Sequence, residues 1–230
     1  MAGTYDLPEW KPPPIYPVLG DRQVHIWLLS LRSGQSPQDR RSLLTQYLHP
    51  YLLEQGDSET RTTLENIALE PITLEQNDYG KPYLPQFPLE FNWSHSGNLA
   101  LLAVTHLAPL GIDLEILRPS RYRRAIAQRF FSPEEQSYLE RAPLAQADQR
   151  FLSLWTRYEA EMKARGRGIF APPTHGENPA ENDTKTQEES YIHYIHTFQP
   201  LPQTIASVVV LTQHIPQLVF FDARQDEHSK

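Results

Sequence analysis

Four side chains in this sequence have the types and spacing for cation and phosphate chemistry. Asp113 and Glu115 stand two apart in Gly111-Ile112-Asp113-Leu114-Glu115, shortly after an apolar run. In a strand, residues two apart point to one face, so both carboxylates project together while Ile112 and Leu114 turn into the core. Glu159 and Lys163 stand four apart within residues 155–163, a segment that reads as helix and sets both on one face. If strand and helix pack together, three carboxylates meet beside one ammonium. Magnesium takes hard oxygen ligands and keeps waters beside one or two carboxylates and substrate phosphates. The expected chemistry is therefore magnesium-assisted reaction of a phosphorylated substrate. Each piece also has an ordinary reading. Asp-x-Glu is often only a polar outer face, and a Glu159–Lys163 surface pair is worth about 0.2–0.5 kcal/mol. His95 alone reads more simply as a turn residue bonded to backbone. His193 and His196 fall on opposite faces of a strand, which excludes a metal pair there. The combination carries the expectation, not any single piece.

Stepping outward from these residues, Val24-His25-Ile26-Trp27-Leu28-Leu29 reads as a buried strand, and Ser36-Pro37-Gln38-Asp39 opens a helix. Leu43, Leu44, Tyr47, Leu48, Tyr51 and Leu52 give that helix an apolar face of period 3.6, with Pro50 expected to kink or end it. Residues 91–97 run as a strand into a tight turn, and 99–104 form a core strand. Residues 121–130 and 133–141 look helical, the second capped by Ser132 with Pro133 and Glu135 behind it. Residues 146–166 form the clearest helix, ended by Gly166 and Gly168. Residues 191–198 and 204–211 read as strands. The expected fold is α+β and pseudo-duplicated, two similar subdomains each with a long helix on a small, mostly antiparallel sheet. The expected boundaries are an extended Pro-rich arm at 1–23 and subdomains at 24–108 and 109–221. A mobile loop is expected at 172–190, and a polar tail at 222–230.

Bulk properties narrow the function classes. Cysteine is absent, which excludes thiol nucleophiles, disulfides and cysteine zinc sites. That composition suits a reducing cytoplasm. The first residues lack the basic and apolar regions of a signal peptide, and no apolar stretch is long enough to span a bilayer. A net charge of −7 argues against nucleic acid as a partner. Basic residues do gather locally at Arg118, Arg121, Arg123, Arg124 and Arg129, a set that considered alone reads as a solvated helix face.

In sequence order, four blocks resemble the broad-specificity class of 4′-phosphopantetheinyl transferases, which activate carrier proteins of fatty-acid, polyketide and nonribosomal-peptide synthesis. The blocks are Gly80-Lys81-Pro82-Tyr83-Leu84, Phe91-Asn92-Trp93-Ser94-His95-Ser96-Gly97, Gly111-Ile112-Asp113-Leu114-Glu115, and residues 155–163 with Gly166. Phe130-Phe131-Ser132-Pro133-Glu134-Glu135 is also similar to the family. The resemblance implies that Asp113, Glu115 and Glu159 hold Mg2+ at the pyrophosphate of coenzyme A, the co-substrate. It implies that Lys163 binds phosphate and that His95, with Ser94 before it, grips the coenzyme's phosphates. Lys81 falls at the nucleotide end, and Arg41 and Ser42 fall where the family contacts the 3′-phosphate. Glu159 is the candidate general base toward a serine of an acyl or peptidyl carrier protein, and 3′,5′-ADP is the leaving group. The arginine-rich stretch is the expected docking surface for an acidic carrier protein. A monomer is expected from the duplicated fold.

Two departures keep an alternative open. Tyr158 stands where the family's helix motif usually has lysine, and the segment before the first helix is short of basic residues. A degenerate paralogue that binds carrier protein or nucleotide without turnover fits those departures. The acidic site alone would also suit a magnesium-dependent phosphohydrolase.

Overall fold

Period-two burial in the central strands sets the layering. In β1 (Gln23–Ser30), Val24, Ile26 and Leu28 enter one core, while Trp27 and Leu29 enter another on the opposite face. The computed structural model describes residues 5–54, 72–119, 121–168 and 193–224, so the expected loop at 172–190 and most of the tail lie outside the described residues. The remaining elements are α1 (Pro37–Glu54), β2 (Glu75–Gln76), β3 (Pro82–Tyr83), β4 (Glu90–Ser96), β5 (Leu99–Thr105) and β6 (Leu110–Ile116). They are followed by α2 (Arg123–Phe130), α3 (Pro133–Glu140), α4 (Ala147–Ala164), β7 (His193–Phe198), β8 (Thr204–Leu211) and β9 (Gln217–Asp222).

The larger sheet has the order β4-β5-β1-β9 and the smaller the order β6-β8-β7. Leu44, Leu48, Tyr51 and Leu52 of α1 pack on the Trp27 and Leu29 face of the larger sheet. Its other face, through Val24, Ile26, Leu28, Leu101 and Ala103, packs on Ile112, Leu114, Ala206 and Val208 of the smaller sheet. Ala160 and Ala164 of α4 cover Val209 on the far side. The result is a mixed α/β stack of helix, sheet, sheet and helix. Among the described residues no helix is long and apolar enough to cross a membrane.

Three details differ from the sequence reading or sharpen it. α1 does not end at Pro50 but continues to Glu54. Proline removes one donor from the helix ladder, but Tyr51 and Leu52 anchor the last turn to the sheet. The Tyr51 hydroxyl accepts from Trp27 Nε1 at 2.8 Å and lies 2.9 Å from His25 Nδ1. Second, β9 pairs in parallel with β1, from Gln23 opposite Gln217 to Leu28 opposite Asp222. The larger sheet thus draws strands from both ends of the chain, although residues 217–222 fall in the C-terminal half of the sequence. Third, the Pro-rich arm is bonded to its surroundings: Lys11 bridges to Phe221, and Trp10 Nε1 donates to the Pro200 carbonyl at 3.0 Å.

Candidate active site

β6 and α4 approach each other closely because Gly111 has no side chain. A Cβ built there would lie 2.0 Å from the Ala160 carbonyl oxygen and 2.9 Å from Lys163 Cβ. This contact lowers Lys163 onto the strand. Its Nζ donates to Asp113 Oδ1 at 2.7 Å, Ser94 Oγ at 3.1 Å and the Ile112 carbonyl at 3.2 Å. Glu159 Oε2, one helical turn earlier, stands 4.0 Å from the same ammonium. The helix then stops as its sequence dictates. Gly166 takes a left-handed φ of +65°, and Arg167 N–H returns to the Met162 carbonyl at 2.9 Å in a Schellman closure.

β4 lies along the other side of β6. Both are edge strands of their own sheets, and side chains of β4 supply the bonds that a backbone ladder would otherwise make. Asn92 Oδ1 accepts from Ile112 N–H at 2.9 Å, and Ser94 Oγ donates to Asp113 Oδ1 at 2.8 Å. Ser96 Oγ accepts from Ile116 N–H at 3.2 Å and donates to Glu115 Oε2 at 3.0 Å. Ser94, His95, Asp113, Glu115, Glu159 and Lys163 thereby line one cleft of about 310 Å³, with Trp93 and Leu114 completing its wall.

Three residues singled out from sequence do not line that cleft. Lys81 donates to the Leu110 carbonyl at 3.0 Å, at the start of β6, and burial pulls its ammonium below the usual lysine range. Arg41 donates to the Leu74 carbonyl, and Ser42 is exposed on α1. Its neighbour Arg40 instead reaches the site, with a guanidinium nitrogen 2.9 Å from His95 Nε2. Adjacent helical residues point about 100° apart, so only one of two neighbouring arginines can face β4, and sequence alone gives no way to choose. Ser96 was also missed; its position two after Ser94 in a strand was the available signal. Tyr158 does not line the cleft. Its ring lies 5.4 Å from Phe130 and 5.9 Å from Trp155, in the apolar cluster that seats α2 on α4.

The cleft carries more negative charge than its own cation offsets. Burial first, then the charge of Asp113, pushes the Glu159 carboxyl up to about 8. The same two causes, in the same order, raise Glu115. His95 is lowered by burial and then by the Arg40 guanidinium, which keeps its ring neutral near pH 7. Since arginine can only donate, His95 Nε2 accepts and the ring proton sits on Nδ1. Asp113 Oδ2 is buried and meets no fixed hydrogen-bond donor among the described residues, and the raised Glu159 carboxyl is the neighbour that shares a proton with Asp113. A buried oxygen without a fixed donor, two further carboxyls raised by crowding and an all-oxygen donor set suit a hard divalent cation. Among the described residues no group of three or more acidic or histidine side chains is already arranged to hold a metal ion.

Residues 109–210, which include all four charged groups of the cleft on β6 and α4, match the 4′-phosphopantetheinyl transferase superfamily. The chain is 36% identical over 180 residues to the 4′-phosphopantetheinyl transferase HetI of Nostoc sp., covering 70% of this chain and 76% of that one. It is 39% identical over 121 residues to a 4′-phosphopantetheinyl transferase of Bacillus subtilis, covering 51% of this chain and 53% of the relative. Identity to the 4′-phosphopantetheinyl transferase Sfp of Bacillus subtilis is 36% over 102 residues, 44% of each chain. The alignments to the two Bacillus proteins thus span about half of their length.

Proposed function

The chain belongs to the 4′-phosphopantetheinyl transferase superfamily, and from that premise we propose that it moves the 4′-phosphopantetheine group of coenzyme A to a serine of an acyl or peptidyl carrier protein. The observation that carries this reading is the cleft, which Lys163 lines together with the carboxyl groups of Asp113, Glu115 and Glu159 from β6 and α4.

The reaction joins the serine hydroxyl oxygen to the β-phosphorus of the coenzyme and breaks its bond to the bridging oxygen of 3′,5′-ADP. Asp113, Glu115 and Glu159 are the residues that would hold Mg2+, which when bound supplies a Lewis-acid clamp on the pyrophosphate and keeps these carboxylates ionised. Glu159, ionised, takes the serine proton at a carboxylate oxygen. Lys163 stabilises charge building on the phosphate oxygens from its fixed place above β6. His95 offers its Nδ1–H to a phosphate oxygen, with Arg40 fixing that tautomer and adding positive charge beside it. Lys81, bonded to the Leu110 carbonyl at the head of β6 and outside the cleft, is assigned to the nucleotide end of the coenzyme. One chain supplies β4, β6 and α4, which is consistent with action as a monomer, and we read the two helix-covered sheets as an internal duplication.

For the carrier protein we assign the face carrying Arg118 to Arg129. Arg124 is exposed there and lines a groove of about 340 Å³ with Ala127, Gln128, Leu139 and Phe151. Arg123 is already paired with Asp148 at 2.9 Å, so Arg124 is the cleaner probe of docking.

Intact-protein mass spectrometry of an apo acyl carrier protein, incubated with this chain, magnesium and coenzyme A, tests the proposal. The expected result is a phosphopantetheine-sized gain that disappears with Asp113→Ala. No gain with any carrier protein, from a folded enzyme in excess coenzyme, refutes the activity.

A further inference from the structure

The carboxylates of β6 are held by hydroxyls of β4, and the two strands share a repeat that matches them one to one. Asn92, Ser94 and Ser96 alternate along β4 and therefore share one face. Opposite them stand the Ile112 N–H, the Asp113 carboxylate, and Glu115 with the Ile116 N–H. Neither strand has its ladder partner on this side, because each is the edge of its sheet.

We infer that Ser96 is a positioning residue for the proposed magnesium site, fixing which oxygen of Glu115 remains open for the cation; this rests on the metal reading given above. A serine hydroxyl has one proton. At Ser96 the Ile116 N–H takes a lone pair, so the hydroxyl proton is committed to Glu115 Oε2. That leaves Oε1 as the carboxylate oxygen without this tether. Ser94 does the same one step earlier: it accepts from Lys163, donates to Asp113 Oδ1, and leaves Oδ2 without a fixed donor. The two serines thus hold one oxygen of each carboxylate and leave the other to the ligand. Asn92 fixes the register by anchoring Ile112, so the serines fall opposite the acids rather than opposite Ile112 and Leu114.

The hydroxyl at 96 also has a local reason to be serine. The side chain is only 9% exposed, and the following turn places Gly97 at φ +60° against Ile116, where a Cβ would lie 2.7 Å from Cδ1. The turn presses the end of β4 onto the end of β6, and the hydroxyl spans that seam.

The test is Mn2+ binding, followed by electron paramagnetic resonance on the full chain with coenzyme A and without carrier protein, so no turnover is read. Loss of an outer partner of a metal ligand typically weakens binding about 10–100-fold. Ser96→Ala is expected to weaken Mn2+ binding by that factor while unfolding remains cooperative, and Ser96→Thr, which restores a hydroxyl, to recover most of it. Equal affinity in Ser96→Ala and wild type overturns the inference, as does a loss in Ser96→Thr as large as in Ser96→Ala, because packing rather than the hydroxyl would then be the cause. If Asp113→Ala abolishes binding while Ser96→Ala leaves it intact, the metal reading stands and only the role of Ser96 falls. If the wild type itself takes up no Mn2+, both fall together.

Discussion

Gly111→Ala should damage the enzyme out of proportion to one methyl group, and the structure gives the size of the effect. The added Cβ would stand 2.0 Å from the Ala160 carbonyl oxygen, 2.5 Å from the Ala164 nitrogen and 2.9 Å from Lys163 Cβ. Carbon contacts are comfortable at about 3.5 Å or more. Two of the three neighbours are backbone atoms, so no rotamer change relieves the clash. α4 must retreat from β6 by roughly 1 Å or more, and the Lys163 bonds to Asp113, Ser94 and Ile112 at 2.7, 3.1 and 3.2 Å must lengthen with it. Overpacking of this kind costs about 1–3 kcal/mol, occasionally more. For a chain of this length that lowers Tm by about 2–12 °C. Misplacement by about 1 Å can cost on the order of 10²-fold in rate. Thermal melting by circular dichroism reads the first effect, and the rate of carrier-protein mass gain reads the second. An unchanged Tm would refute the claim that helix and strand are in hard contact. A lowered Tm with an undiminished rate would show that the contact is real but does not position Lys163.

Lys163→Met should lower kcat about 10²–10³-fold, the usual cost of losing one preorganised donor, and an unchanged kcat in the mass-gain assay would remove Lys163 from the mechanism. Arg124→Glu should raise KM for an acidic carrier protein more at low salt than at high salt while leaving KM for coenzyme A alone; a carrier KM unaffected at low salt would refute the docking face. His25 is 2% exposed and its pKa is lowered to about 4 by burial, so it must stay neutral in the folded chain. The unfolded chain binds this proton below about pH 6.5, so stability is complete above that value and falls as pH drops toward 4. By pH 4.5 the loss reaches about 2 to 3 kcal/mol. Urea midpoints at pH 7.5 and 4.5 should therefore diverge more in wild type than in His25→Gln, and equal divergence would refute the assignment.

Much of the site was legible because its logic is local. The spacing of Asp113 and Glu115 fixed their shared face, and that of Glu159 and Lys163 fixed theirs. The helix ends at Ser132 and Gly166 followed from cap chemistry, with the capping box at Ser132 and Glu135 fully formed. What stayed hidden depends on elements distant in sequence. Lys81 and Arg41 carry charge, but their directions are set by the Leu110 and Leu74 carbonyls, which no local pattern reveals. Tyr158 looked like a departure in the binding motif, yet its ring is occupied by the Phe130 and Trp155 contacts. Pro50 predicts a kink or an end, and the helix does not end there but runs on to Glu54, where the Tyr51 hydroxyl accepting from Trp27 ties the last turn to the sheet. Pairing of β9 with β1 joins residues almost two hundred apart, beyond any periodicity argument.

The position of the site at the seam of two sheets has a physical logic of its own. An edge strand exposes unpaired N–H and C=O groups, and proteins commonly protect such edges with inward-pointing charges. Here two edges, β4 and β6, meet inside the molecule, where unpaired backbone groups and charges are both costly. Asn92 and Ser96 satisfy the N–H groups of Ile112 and Ile116. The hydroxyls of Ser94 and Ser96, with Lys163, meet part of the cost of Asp113 and Glu115. What they leave unmet is specific: one buried Asp113 oxygen without a fixed donor, and a Glu159 carboxyl driven up to about 8. A ligand bringing positive charge would relieve both at once. The residual strain of the seam is thus confined to the cleft that the proposed chemistry needs, and binding there would repay it. It follows that magnesium with coenzyme A should raise Tm in wild type, whereas Asp113→Asn, which removes the charge but keeps the shape, should gain less when ligand is added.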